Sequence, residues 1–279
     1  MLQERVPLQS PGFAARKRRA RVIRGAALLA LVLLLIGALV FLARLSNVRI
    51  ENIYVEGNAV ISEQSIQEAV QKAISGNYLY LFPKDNVGLY PKATIAASLT
   101  NAFKPIQSVE VSLKDLRGLL VTVVERKPHA LWCGQEFSNM SKGQCYFLDD
   151  AGYIFAKAPD FSGNVFFKYF GGSLSSDPVG SELIETERFK VLEFFITALS
   201  QAGFHIVALH LRSSGVYEAY MEDGGRIIFN DKQDYAALLA NLKTLVESDS
   251  FKAKISSDAS NIDYIDLQYG NKIFYRPAQ

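Results

Sequence analysis

Nineteen consecutive residues, Gly25 to Ala43, carry no ionisable side chain, and the run is bounded by Arg24 and Arg44. As a helix rising ~1.5 Å per residue, such a run is about 28 Å long, close to the thickness of the hydrocarbon layer of a bilayer. It is expected to be a single transmembrane helix over residues 25–43, and it then fixes the compartment of everything that follows. A cleaved signal peptide is the competing reading. Its apolar core would be roughly 7–15 residues long and would end in a small-x-small cleavage site. The core here is longer, and Phe41-Leu42-Ala43-Arg44-Leu45-Ser46 offers no such site.

Arg16, Lys17, Arg18, Arg19, Arg21 and Arg24 crowd the N-terminal flank, whereas Arg44 and Arg49 on the other flank are accompanied by Glu51 and Glu56. Basic residues next to a span stay on the cytoplasmic side, so residues 1–24 are expected inside and residues 45–279 outside. The tail holds seven Lys/Arg against one Glu, and the region after Arg44 holds 22 Lys/Arg against 27 Asp/Glu. The basic tail suits topology and anionic headgroups of the lipid bilayer. Nucleic-acid binding would need basic residues interleaved with aromatics on a folded face, and the acidic exterior lacks that pattern.

The exterior is long enough for two modest domains. Val48–Val55 is rich in β-branched residues and stops at Gly57-Asn58, which predicts a strand. Ser62 offers an N-cap oxygen, and Ile66, Ala69, Val70, Ala73 and Ile74 then recur on one helical face up to Gly76. A turn-rich stretch from Leu81 to Tyr90 leads to Pro91, where a second helix can begin, with Ile95, Leu99, Ala102 and Phe103 as its buried face. Val109-Glu110-Val111-Ser112-Leu113 alternates strictly, Asp115-Leu116-Arg117-Gly118 turns, and Leu119–Glu125 is β-branched again, so the pair predicts a hairpin. The order is β-α-α-β-β over residues 48–127.

Residues 128–276 read as a distal mixed β domain with packed helices. Trp132-Cys133 and Cys145-Tyr146-Phe147-Leu148 flank a polar loop, and Asp149-Asp150-Ala151-Gly152 turns the chain into Tyr153-Ile154-Phe155. The segment 157–180 has no clear period and reads as strand plus loop. A helix is expected to start at Ser181, with Arg188, Leu192, Phe195 and Leu199 on one face and Gly203 as its stop. Strands follow over Phe204–Leu211, Val216–Met221 and Arg226–Phe229. A helix with Tyr235, Leu238, Leu239, Leu242, Leu245 and Val246 on one face comes next, then strands over Ile262–Tyr269 and Lys272–Tyr275. Cys133 and Cys145 are the two cysteines of the chain. In an oxidising compartment they are disulfide candidates, and two buried, reduced thiols are the alternative.

Several of these segments resemble one family. A small β-α-α-β-β domain directly outside a single N-terminal span, with Val55-Glu56-Gly57-Asn58 early, Pro105-Ile106 ahead of the third strand, and Glu125-Arg126-Lys127-Pro128-His129-Ala130-Leu131-Trp132 at its close, resembles the bacterial cell-division proteins called FtsQ or DivIB. In that family the membrane-proximal domain is a POTRA module. Near the end of the chain, Asp223-Gly224 before a strand, the leucine-rich helix, and Tyr264-Ile265-Asp266-Leu267-Gln268-Tyr269 are similar to the family's hydrophobic-Asp-Leu-Arg-Tyr/Phe motif. Gln268 departs from it, standing where an Arg is usual. The resemblance implies an α+β protein that binds FtsB/DivIC-like and FtsL-like single-span coiled-coil proteins at its distal domain. Tyr269 would be the best single contact, with Gln268 and Asn271 beside it.

No residue pattern points to catalysis. His205 and His210 lie five apart in a predicted strand and so face opposite ways, and His129 stands alone. Gly-x-Ser-x-Gly, Ser-x-x-Lys, His-Glu-x-x-His and Gly-x-Gly-x-x-Gly are absent from the sequence. Asp149-Asp150 fits turn chemistry, the two side chains pointing apart into water. Asn139-Met140-Ser141 matches a glycosylation sequon by chance spacing. The expectation is a non-catalytic interaction protein with no cofactor, no metal and no small-molecule substrate. Strand addition at a C-terminal edge is the expected contact mode, with Tyr264, Tyr269, Phe274 and Tyr275 as anchors. Two rivals remain: a POTRA-bearing chaperone or secretion adaptor, and a peptidoglycan-acting enzyme.

Overall fold

A computed structural model describes residues 11–137, 144–161, 163, 165–222, 224–249, 251, 262–270 and 272–278. The chain is a mixed α+β protein with one long apolar N-terminal helix and one large mixed sheet. It divides into two bodies, Met1–Ala102 with Ser108–Val124 and Phe103–Gln107 with Glu125–Gln279.

The first body opens with helix α1 (Pro11–Ala43). Among the described residues this is the one helix long and apolar enough to cross a membrane, and its apolar side chains are uncovered. Strand β1 (Asn52–Glu56) follows and ends at Gly57. That glycine has φ +86°, and a Cβ there would lie 2.1 Å from the Val123 carbonyl oxygen, so no other residue fits. Asn58 Nδ2 then donates to the Ile61 carbonyl (3.0 Å) and shapes the turn into the next helix.

Helix α2 (Glu63–Ala73) is capped by Ser62, whose Oγ accepts the Ser65 N–H at 3.2 Å, with Glu63 in the first turn where the helix dipole favours an anion. Ile66, Val70 and Ile74 are its buried stripe. Strands β2 (Asn77–Tyr78) and β3 (Phe82–Pro83) make a two-rung hairpin, β2 ahead of the stretch Leu81–Tyr90 read as turns and β3 inside it. Helix α3 (Lys92–Ala102) begins just past Pro91, whose carbonyl accepts the Ile95 N–H (2.9 Å). Ile95 and Leu99 are buried, but Ala102, in phase with them, is exposed at the helix end.

Strands β4 (Ile106–Leu113) and β5 (Gly118–Glu125) are joined by a turn in which Asp115 Oδ1 accepts the Arg117 N–H (2.8 Å). The sheet order is β1-β5-β4, and β1 runs parallel to β5 from Asn52↔Gly118 to Glu56↔Thr122. As the central strand, β5 carries the fully buried Leu119, Val121 and Val123.

The second body is built on strands β6 (Ala130–Trp132), β7 (Tyr146–Leu148), β8 (Ile154–Lys157), β9 (Lys168–Gly171), β10 (Ile206–Leu211), β11 (Val216–Met221), β12 (Arg226–Asn230), β13 (Ile262–Tyr269) and β14 (Lys272–Pro277). They form one sheet in the order β14-β13-β12-β11-β10-β9-β6-β7-β8. Strand β9, in the segment without a period, pairs parallel with both β6 and β10. Helices α4 (Thr186–Gln201) and α5 (Tyr235–Glu247) contribute Phe189, Leu192, Phe195, Leu199, Leu238 and Leu242 to a core that also buries Tyr169, Phe229 and Ile265.

Helix α4 starts five residues later than its pattern suggests. Residues 180–183 are tied to the start of β8 and the turn before it instead: Gly180 N–H donates to the Ile154 carbonyl (2.8 Å), Ile154 N–H to the Ser181 carbonyl (2.9 Å), and Leu183 N–H to the Gly152 carbonyl (2.9 Å). Those bonds, with the Tyr153–Glu182 bridge, hold the segment out of the helix. Arg188 is correspondingly exposed, ion-paired to Asp231 at 2.7 Å, and Phe189 takes the buried position beside it. Helix α5 is capped by Asp234, which accepts the Ala236 and Ala237 N–H groups.

Candidate functional site

Strand addition was expected at the C-terminal strand, on a ribbon with one free side. Strand β14 is the terminal strand of the sheet, but β13 is interior, paired parallel to β12 on one side and antiparallel to β14 on the other. Among the described residues no strand lies beyond β14, so backbone pairing with an incoming strand is open there, whereas β13 is closed over Tyr264–Asp266 by β12 on its other side.

Alternation along β14 sorts its residues between the two faces. Ile273 and Tyr275 pack against the helix-covered core, and Tyr275 meets Phe251 at 5.2 Å. Lys272, Phe274 and Arg276 are exposed. Across the ribbon, Tyr264 pairs with Arg276, Asp266 with Phe274, and Tyr269 with Lys272. The Arg276 guanidinium lies 5.1 Å from the Tyr264 ring centre and forms an ion pair with Asp263. Tyr269 and Phe274 meet edge to face at 5.3 Å, and 58% and 51% of these residues remain exposed. Two large rings held against each other at a sheet end, with half their surface in water, have the make-up of an interface anchor.

The ribbon's tip is fixed from behind. Gln268 N–H donates to Asp266 Oδ1 (3.0 Å), and Gln233 Nε2 donates to the Leu267 carbonyl (2.8 Å). Gly225, where β12 begins, has φ +79°, and a Cβ there would sit 2.1 Å from the Ile262 carbonyl. That contact places β13 tight against β12. Asn271 and Asp223, both singled out in the sequence, lie outside the described residues, as does the Asn139-Met140-Ser141 sequon. Arg276 and Asp263 were not anticipated, although the period-two run Lys272, Phe274, Arg276 carried the signal.

Elsewhere in the second body, Cys133 and Cys145 are joined by a disulfide with their Cα atoms 4.2 Å apart. They belong to a second apolar cluster on the sheet with Leu131, Ala158, Phe170 and Ala208, where Phe137 stacks on Tyr220 at 3.5 Å. Beside it, Glu218 is buried under donors from Arg212 (2.7 Å) and Tyr220 (2.8 Å). Burial pushes the Glu218 carboxyl up, and the bonds from Arg212 and Tyr220 outweigh it, leaving the carboxyl below its ordinary range. Burial, with help from the Glu218 carboxylate, pushes the Tyr220 hydroxyl up to about 12. A carboxylate this well supplied with donors is a poor proton acceptor at neutral pH and works as a strut.

Asp149 was expected to point into water. It is 2% exposed, ion-paired with Arg126, and accepts the Ala151 and Tyr153 N–H groups on Oδ1 at 3.0 and 2.9 Å. The turn chemistry holds, but the second oxygen is taken up by the guanidinium, which also covers the Tyr153 ring at 4.1 Å. His129 is not alone either: its Nε2 lies 3.0 Å from Glu193 Oε2, and the buried Tyr169 hydroxyl donates to Oε1 of the same carboxylate. The bond to Glu193 raises the His129 pKa. For Glu193, burial works upward and the bonds from His129 and Tyr169 prevail downward. His210 is buried on β10, and His205 precedes the strand, whose pairing shifts register between Ile206 and Ala208. No group of three His, Cys, Asp or Glu side chains among the described residues is placed to hold a metal ion.

No protein-family model matches the sequence, and no curated protein matches it.

Proposed function

We propose that the protein is a non-catalytic, membrane-anchored scaffold of the bacterial cell-division complex, of FtsQ/DivIB type, acting at the division septum. Helix α1 spans the cytoplasmic membrane once, with the basic tail inside and both bodies outside. An apolar cylinder of about 28 Å that none of the described residues covers is stable in lipid and costly in water, which supports this reading. The first body serves as a POTRA module that contributes to recruitment; its three-stranded sheet of β1, β5 and β4 with helices α2 and α3, the β2–β3 hairpin lying between the helices in sequence, supports this.

The observation that carries the proposal is the position of β14 at the end of the nine-stranded order, with the Tyr269–Phe274 pair half in water beside it. An FtsB/DivIC-like partner, itself associated with an FtsL-like chain, adds a strand to β14, and the two rings grip its side chains. Gln268 replaces the family's usual Arg, so the grip here rests on aromatic area in place of a charge.

Co-purification from solubilised membranes tests this. Full-length protein carrying Tyr269→Glu is expected to lose the coiled-coil partner while keeping its disulfide and its melting transition. Undiminished recovery of the partner would remove Tyr269 from the interface.

A further inference from the structure

Leu79 and Tyr80 are the described residues other than glycine with left-handed backbone, at φ 49° and 63°. Side chains of this kind rarely adopt it, and where they do the surroundings must hold them there. They form the tip of the β2–β3 hairpin, and they are 83% and 92% exposed. Neighbouring Tyr78 and Leu81 are exposed as well. The fold thus holds a strained leucine–tyrosine pair that its own core does not use.

The surroundings that hold this tip belong to the end of α1. Arg44, the first charged residue after the apolar run, donates from Nε to the Leu81 carbonyl (3.2 Å) and from its guanidinium to the Tyr80 carbonyl (3.3 Å). Asn86 Nδ2 donates to the carbonyl of Ala43, the last residue of α1, at 2.9 Å, and its Oδ1 accepts the Gly88 N–H at 2.8 Å. Arg49 and Asp85 form a two-pronged ion pair in the same joint. The hairpin tip therefore lies within one arginine side chain of the point where the apolar helix ends. Lys84 stands near the Tyr78 ring at 5.7 Å. Leucine, tyrosine and flanking cations are the side chains that settle where acyl chains meet headgroups.

We propose that the β2–β3 tip, through Leu79 and Tyr80, inserts into the headgroup–acyl boundary of the lipid bilayer beside α1. This gives the first body a second attachment to the membrane and fixes its orientation, where a single helix would leave it to swivel. The inference rests on α1 being a membrane span.

The two cysteines of the chain are joined to each other, so an introduced cysteine can be labelled selectively. Full-length Tyr80→Cys, Val60→Cys and Leu34→Cys proteins, each carrying a nitroxide, are placed in phosphatidylethanolamine/phosphatidylglycerol nanodiscs, and collisions with oxygen and with a water-soluble nickel chelate are measured. Val60, 85% exposed, reports the aqueous side of the same body, and Leu34 reports the middle of the span. Residue 80 is expected to favour oxygen several-fold over the value at residue 60 while remaining shallower than residue 34. A label at 80 that matches residue 60, with residue 34 still deep, overturns the second attachment and leaves the span intact. An aqueous signal at residue 34 overturns the span and the attachment together. Shielding of residue 80 from both reagents shows protein in place of lipid at the tip, and also overturns the proposal.

Discussion

Truncating Phe274 to alanine is expected to weaken capture of the coiled-coil partner by roughly two orders of magnitude or slightly less. A phenylalanine buries about 150–250 Å² in full, so the half of Phe274 still in water offers about 100 Å² to a partner. At about 25 cal/mol per Å² that surface stabilises the complex by about 2.5 kcal/mol, which is about 60-fold in affinity. Tyr269, with a similar exposed share, should lose a similar amount on Tyr269→Ala. The two rings touch, so the double variant should lose less than the sum of the singles, by about 0.5–1.5 kcal/mol. Binding of the partner's extracytoplasmic coiled coil to solubilised full-length protein gives the cycle by fluorescence anisotropy. Val191→Ala, on the exposed side of α4, serves as the control and should leave affinity unchanged. The reasoning fails if both aromatic truncations bind as the parent does, or if their effects add fully.

Asp149→Ala should lower the stability of the second body by about 3 kcal/mol, since it strips Arg126 of its buried counter-ion and frees two turn amides. For a body of this size that is roughly 6–12 °C in melting temperature by calorimetry, and a shift near zero would show that the pair is decorative. The His129–Glu193 pair predicts a pH dependence. His129 is raised, so its contribution is complete below its ordinary 6.5 and is lost as pH climbs through the higher folded value. Glu193 is lowered, so its contribution is complete above its ordinary 4.5 and is lost as pH falls through the lower folded value. Melting temperature should therefore decline on the alkaline side of 6.5, and His129→Gln should flatten that arm; an equal slope in the variant would contradict the assignment.

Helix faces were legible because they depend on neighbours three and four residues away. Ser62, Ile66, Val70, Ile95, Leu99, Leu238 and Leu242 all fall where spacing places them. The start of α4 was not legible, because it is set by backbone bonds between residues 180–183 and the start of β8, nearly thirty residues earlier. Strands were legible as segments but not as neighbours. Parallel pairing of β1 with β5, and of β9 with both β6 and β10, leaves no periodic trace in a local window. The same limit hid the candidate site's decisive property, since β13 and β14 read alike and differ only in what lies beside them. His129 looked isolated for the same reason: its partner Glu193 is 64 residues away. The left-handed Leu79-Tyr80 tip went unseen because neither residue type announces positive φ.

Site-specific photocrosslinking at position 274 in living cells addresses the central claim most directly. A photoreactive phenylalanine there should yield a covalent adduct with one small, single-span coiled-coil protein, identified by mass spectrometry. The same group at position 191, on the outer side of α4, should yield none. Adducts at 191 and none at 274, with both proteins anchored and folded, would contradict docking at the β14 edge.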